Sequence, residues 1–241
     1  MAGPLEQFEV NTILPIEIGG IDVSFTNASL FMLINAAALT GFLMLATSGR
    51  ALIPTRLQSV AEMMYDLVAN MIRDNVGSGG RKYFPFIFAL FMFILTCNLV
   101  GMIPGTFTVT SHVFVTFGLA IFIFLGVTVI AIAKQGTGFL RTFFPHGAPW
   151  WTGIVLIPVE LVSYLARPIT LSVRLFANMT VGHVLLKVVA GFIAPLGLAL
   201  GIVPLAGLVA ITALEFLIAV IQAYVFTILT CVYLHEALHG H

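Results

Sequence analysis

The sequence predicts an all-α polytopic membrane protein: one integral-membrane domain with five membrane helices and one amphipathic surface helix, the last two membrane helices long and steeply tilted. Composition is the first support. Of 241 residues, 60% are hydrophobic and 8% charged, with a mean hydropathy of +1.10, far from the makeup of a water-soluble domain. The second is run length. Apolar runs at 28–47, 84–104, 112–133, 150–188 and 196–234 each supply the roughly 20 residues that cross ~30 Å of hydrocarbon, where the backbone must pair within a helix for want of water. The third is the distribution of charge between the runs, which orients them.

Residues 1–27 form an outer N-terminal segment without Lys or Arg. With no cationic stretch of the kind a cleaved signal carries, the first run, 28–47, is expected to stay in the protein. Over 51–76, Leu57, Val60, Met64, Leu67 and Met71 recur at helical spacing against Arg56, Glu62, Asp66 and Arg73, the pattern of a helix lying on a membrane surface. Gly-Ser-Gly-Gly at 77–80 ends it. Arg50, Arg56, Arg73, Arg81 and Lys82 lie between the first and second runs, and Lys134 and Arg141 follow the third; 105–111 and 189–195 hold no Lys or Arg. Positive residues mark the inner side, so the N-terminus is outside, while the surface helix and C-terminus are inside. The last two runs have 39 residues each, about 58 Å of helix. Neither can stand upright in ~30 Å, so both tilt or kink, with Pro158 and Pro168 as kink points.

Charged side chains inside such runs cost ~2.5–3.5 kcal/mol each, so each is a functional candidate. The fourth run holds Glu160, Arg167, Arg174, His183 and Lys187, and Glu215 is the lone charge between Val188 and Leu234. At 100° per residue, Glu160, Ser163, Arg167, Arg174 and Asn178 fall within about 80° of one another. His183 is about 180° from Arg174, which assigns the two to different surfaces. Glu215 and Gln222 share one face of the fifth helix. Competing structural readings stand beside these: a register-setting buried ion pair for Arg174, a packing role for His183, snorkelling for Arg167 and Lys187, and plain helix-to-helix bonds for Asn178 and Gln222. No carboxylate stands three or four residues from Arg174. Net charge is zero, so no basic footprint for nucleic acid exists, and Cys97 and Cys231 in apolar runs say nothing of redox compartment.

The stretches LSVRLFANMTVGHVLLKV at 171–188 and LEFLIAVIQAYVFTILTCVYLHEALH at 214–239, supported by FIFALFMFILTCNLVGMIPGTFT at 86–108 and PIEIGG at 15–20, resemble subunit a, the ion-conducting stator subunit of rotary F-type ATP synthases. The resemblance covers nearly the whole chain. It implies a proton-conducting subunit of the membrane sector, with two offset aqueous half-channels against a rotating ring of c subunits. It further implies that Arg174 faces the ring, that Asn178, His183, Glu215 and Gln222 line the outer half-channel, and that Glu160 belongs to the inner one. Many bacterial members carry an acid at the position of His183 and a histidine at that of Glu215. The exchange seen here, as in alphaproteobacterial and mitochondrial members, hints that the two are neighbours. Implied partners are the c ring, b-type peripheral-stalk subunits and the rest of the complex, in a bacterial inner membrane or, alternatively, the mitochondrial one. No cofactor or metal is implied. Lacking a G-x-x-x-x-G-K-[ST] loop, the chain is expected to be non-catalytic, with nucleotide chemistry left to partners.

Two other readings compete. His235, Glu236 and His239 follow the H-E-x-x-H order of a zinc-protease helix, but a third protein ligand is needed and only Gly240 and His241 follow; His112, His146 or Glu160 would have to come from elsewhere. A solvated inner tail is the simpler expectation. A secondary ion carrier also uses lone intramembrane charges, yet no inverted repeat is visible in the hydropathy. Close helix contact is expected at Gly197 and Gly201, with Gly207 beyond.

Overall fold

In the computed structural model, the described residues are 12–15, 17–18, 21–22, 24–49, 54–103, 106, 108–136, 153–193, 195 and 201–239. Six α-helices dominate: α1 Asn27–Ser48, α2 Arg56–Asn75, α3 Phe84–Gly101, α4 Val113–Gln135, α5 Gly153–Ile193 and α6 Ile202–His239. All but α2 are long and apolar enough to cross a membrane. Ahead of them stand four short strands, β1 Thr12–Leu14, β2 Glu17–Ile18, β3 Ile21–Asp22 and β4 Phe25–Thr26, which the sequence reading did not anticipate. β1 pairs antiparallel with β4, and β2 with β3 inside that loop. Arg50, Arg141, His146, Gly197 and His241 lie outside the described residues.

Helix ends follow local chemistry. Thr26 caps α1 and Thr55 caps α2, each hydroxyl accepting from the backbone N–H three residues on, which satisfies a donor the first turn leaves orphaned. Past α2, Gly77 takes φ +77° and ψ −159°, a region that only glycine occupies without strain. A 3-10 turn over Ser78–Tyr83 then leads into α3. The α3 helix stops at Gly101, three residues short of the apolar run 84–104, because the chain folds back: the Thr106 hydroxyl bonds the Val100 carbonyl and the Thr108 hydroxyl the Gly101 carbonyl.

A single core joins α2, α3, α4, α5 and α6 around Val68, Ile87, Phe91, Ile94, Ile123, Leu175 and Phe226. Neighbours are bolted by buried and half-buried polar contacts. Asn98 of α3 donates to the Ala219 carbonyl of α6, Thr116 of α4 meets Ser172 of α5, and Thr128 meets Tyr164 at 2.7 Å. Outside the core, Phe114, Ile154, Val203 and Met44 are among many exposed large apolar residues, a surface suited to lipid rather than water. The C-terminal half of α2 buries Val68, Met71 and Ile72, while Leu57, Val60 and Leu67 of the predicted stripe stay exposed.

The last two helices are continuous over 41 and 38 residues, about 62 and 57 Å. That is twice the length of an upright span. Helix α5 runs unbroken through Pro158 and Pro168. Close contact at Gly207 does not occur: nothing lies within 4 Å of where its Cβ would be. The close approach is elsewhere, at Gly182.

Candidate functional site

Helices α5 and α6 pack along each other, and three polar rungs set their antiparallel register: His183 with Glu215, Asn178 with Gln222, and Arg167 with Glu236. Glu215 and Gln222 point inward from one face of α6 with only 3% and 2% of their surface exposed. That follows from a seven-residue spacing, two turns along one helix face.

The first rung is the most enclosed. His183 Nδ1 hydrogen-bonds the Met179 carbonyl at 2.9 Å and lies 2.8 Å from Glu215 Oε1 as an ion-pair contact. On the other side of the ring, Nε2 is 2.8 Å from the Gly101 carbonyl and 3.1 Å from the Thr108 hydroxyl. The Gly101 carbonyl ends α3, where helical carbonyls lose their intrahelical partners and the dipole is negative; the Thr108 hydroxyl donates to it and the imidazole lies against it. Glu215 can approach because residue 182 is glycine. A Cβ there would stand 2.6 Å from Oε1 and 3.0 Å from Cδ. Gly101 is constrained likewise, since its Cβ would meet Thr108 Cγ2 at 2.7 Å. Among the described residues, neither Glu215 Oε1 nor Oε2 has a hydrogen-bond partner, so the contact with His183 is one of charge and distance.

In the second rung Asn178 Nδ2 donates to Gln222 Oε1 at 2.8 Å, leaving the buried Gln222 Nε2 without a partner among the described residues. In the third, Arg167 pairs with Glu236 and stands over the rings of Tyr164 and Tyr233, 5.3 and 4.9 Å from their centroids. Cation–π attraction adds to the ion pair there. Gln135 Nε2 from α4 donates to the Glu236 and Ala237 carbonyls at 2.9 Å each, tying down the end of α6. The glutamate of the H-E-x-x-H stretch is thus committed to an arginine, and His235 is exposed. Among the described residues no three His, Cys, Asp or Glu side chains gather as a metal site.

Arg174 stands apart. It is exposed, and among the described residues it makes no ion pair, so the register-setting buried pair considered for it is not formed with any of them. The buried face of α5 carries Leu171, Ser172, Leu175 and Met179 instead. The structure thus joins four of the six candidate residues in two adjacent rungs, with Arg174 beside them. Glu160, half-buried, lies 14 residues before Arg174, about 21 Å along the helix. Gly182, Gly101, Thr108 and the Met179 carbonyl escaped the sequence reading; the glycine before His183 was the one available signal.

Residues 29–235 match the family described as ATP synthase A chain. Proteins named ATP synthase subunit a from Paramagnetospirillum magneticum and Rhodospirillum rubrum are 57% and 56% identical, each alignment covering 100% of both chains. One from Rhizobium meliloti is 55% identical over 99% of this chain and 98% of its own. The family match over residues 29–235 and these full-length relatives show that the chain belongs to the ATP synthase A chain family.

Proposed function

We propose that this chain is the proton-conducting stator subunit of the ATP synthase membrane sector, forming two offset half-channels against a rotating c ring. One observation carries the reading: Arg174 is exposed and unpaired among the described residues, on a helix whose neighbouring charge is met by α6. A charged side chain within a membrane span is costly without a counter-charge, which a ring carboxylate would supply.

A ring carboxylate facing lipid is stable only when protonated, because an isolated charge there is costly. Opposite Arg174, at ~4 Å and an effective dielectric near 20, attraction is about 4 kcal/mol and favours the ionised form. The proton is released there. Guanidinium does not deprotonate, so Arg174 passes no proton and separates the two half-channels. Imidazole exchanges its proton near neutral pH. The His183 and Glu215 rung therefore takes protons from the outer water and hands them past Asn178 and Gln222 to the ring, while Glu160 serves the inner side. A membrane potential supplies about 2.3 kcal/mol per charge per 100 mV, the same order as the Arg174 attraction, so the step runs in both directions. Helices of 41 and 38 residues tilt steeply and follow the curved wall of a ring.

Cysteine cross-linking within the assembled complex tests the facing surface. Cysteines at the exposed Val173 and Val181 should form disulfides with cysteines on the outer helix of the ring, and one at the buried Leu175 should not; Cys97 and Cys231 are buried and contribute little background. Absence of ring cross-links from the exposed positions would overturn the reading, as would proton transport by the chain alone.

A further inference from the structure

We propose that Glu236 is a charge-cancelling residue: by holding Arg167, it leaves Arg174 as the one cation on that face of α5 available to a ring carboxylate. This rests on the ring-facing reading above. Arg167 and Arg174 are seven residues apart, about 20° around the helix and about 10 Å along it. Lys187, the remaining Lys or Arg of α5, is about 140° around from Arg174. On a steeply tilted helix two turns lead along the ring wall more than they change depth, so an unpaired Arg167 would offer the ring a second counter-ion beside the first. A carboxylate leaving Arg174 would be held again before reaching a half-channel.

The structure prevents this with a dedicated enclosure. Arg167 is paired with Glu236 from the end of α6, at side-chain exposures of 18% and 26%. Tyr164 and Tyr233 cover the guanidinium, with Tyr164 itself held by Thr128. The α6 terminus is fixed by Gln135. Five side chains from three helices thus keep one arginine turned inward, and the glutamate of the C-terminal H-E-x-x-H stretch acquires a role that needs no metal.

The test compares ATP-driven acidification of inverted vesicles carrying the whole complex, with assembly checked by retained ATPase content, in Glu236→Gln, Arg167→Gln/Glu236→Gln and Glu236→Asp. Glu236→Gln should lower pumping roughly tenfold or more, since an unmatched guanidinium gains strong attraction for a carboxylate in this environment. Removing both charges should restore pumping to within about threefold of the unaltered chain, as should Glu236→Asp, because neither leaves a cation uncompensated. Replacing a buried ion pair by neutral groups is commonly tolerated, so the double variant remains informative if the single one fails to assemble. An assembled double variant as slow as Glu236→Gln, or slow on its own account, would overturn the proposal and make Glu236 a proton carrier. Wild-type pumping by Glu236→Gln would overturn it too. Arg174→Ala measured in parallel separates the cases: its normal pumping would remove the ring-facing reading itself.

Discussion

The His183–Glu215 and Arg167–Glu236 rungs are built alike, with a base from α5 meeting an acid from α6, yet they suit opposite tasks. At the first, both partners are of a chemical type that can gain and lose a proton, the imidazole is bracketed by carbonyls and a hydroxyl, and the acid fits only because residue 182 lacks a side chain. At the second, the base is a permanent cation covered by two aromatic rings. The contrast teaches that an intramembrane ion pair is not one kind of object. Whether the base can lose its proton decides whether the pair conducts or merely holds.

Predictions follow from that contrast, strongest first. Glu215→Gln keeps the shape of the conducting rung but removes its exchangeable proton, and pumping should fall about 10²- to 10⁴-fold, the contribution of a positioned proton-transfer group. Initial acidification rates in inverted vesicles read this, and retention within twofold would make both rungs structural. Gly182→Ala tests the fit. With 2.6 Å available, the carboxylate must retreat by close to 1 Å, and pumping should drop roughly ten- to a hundredfold with the complex still assembled; unchanged rates would mean that the close approach is irrelevant. Asn178→Ala strips Gln222 Oε1 of its donor and should cost about 1–3 kcal/mol in thermal or denaturant stability, with a smaller loss of pumping than Glu215→Gln. Arg167→Lys keeps charge at the holding rung but weakens its planar stacking. It should destabilise by about 1 kcal/mol and leave pumping close to normal, whereas a large pumping loss would erase the distinction between the rungs.

Much of this architecture was legible in the sequence. The five runs became the five long helices because hydrocarbon admits little else. The α3 boundary was misplaced because Met102 and Ile103 are as apolar as the helix before them, and only the fold-back through Thr106 and Thr108 reveals the stop. Paired strands of two or three residues around Ile13 and Phe25 are too short for a periodic signal. At the site, angular arithmetic put Arg174 and His183 on different surfaces, as found. That arithmetic also grouped Arg167 with Arg174, because it treats one helix at a time and cannot see Glu236 arriving from another. Backbone carbonyls such as those of Gly101 and Met179 carry no side-chain signature. The role of Gly182 is the absence of a side chain, and Gly207, which looked equally suited to close packing, meets only open space.

The most direct test of the central claim is Arg174→Ala in inverted vesicles, measuring ATP-driven acidification and then passive proton leak after the soluble ATPase sector is stripped away. The account predicts lost pumping with the complex assembled and a leak above that of the unaltered chain, because the fixed cation between the half-channels is gone. Pumping at the wild-type rate with no added leak would contradict it.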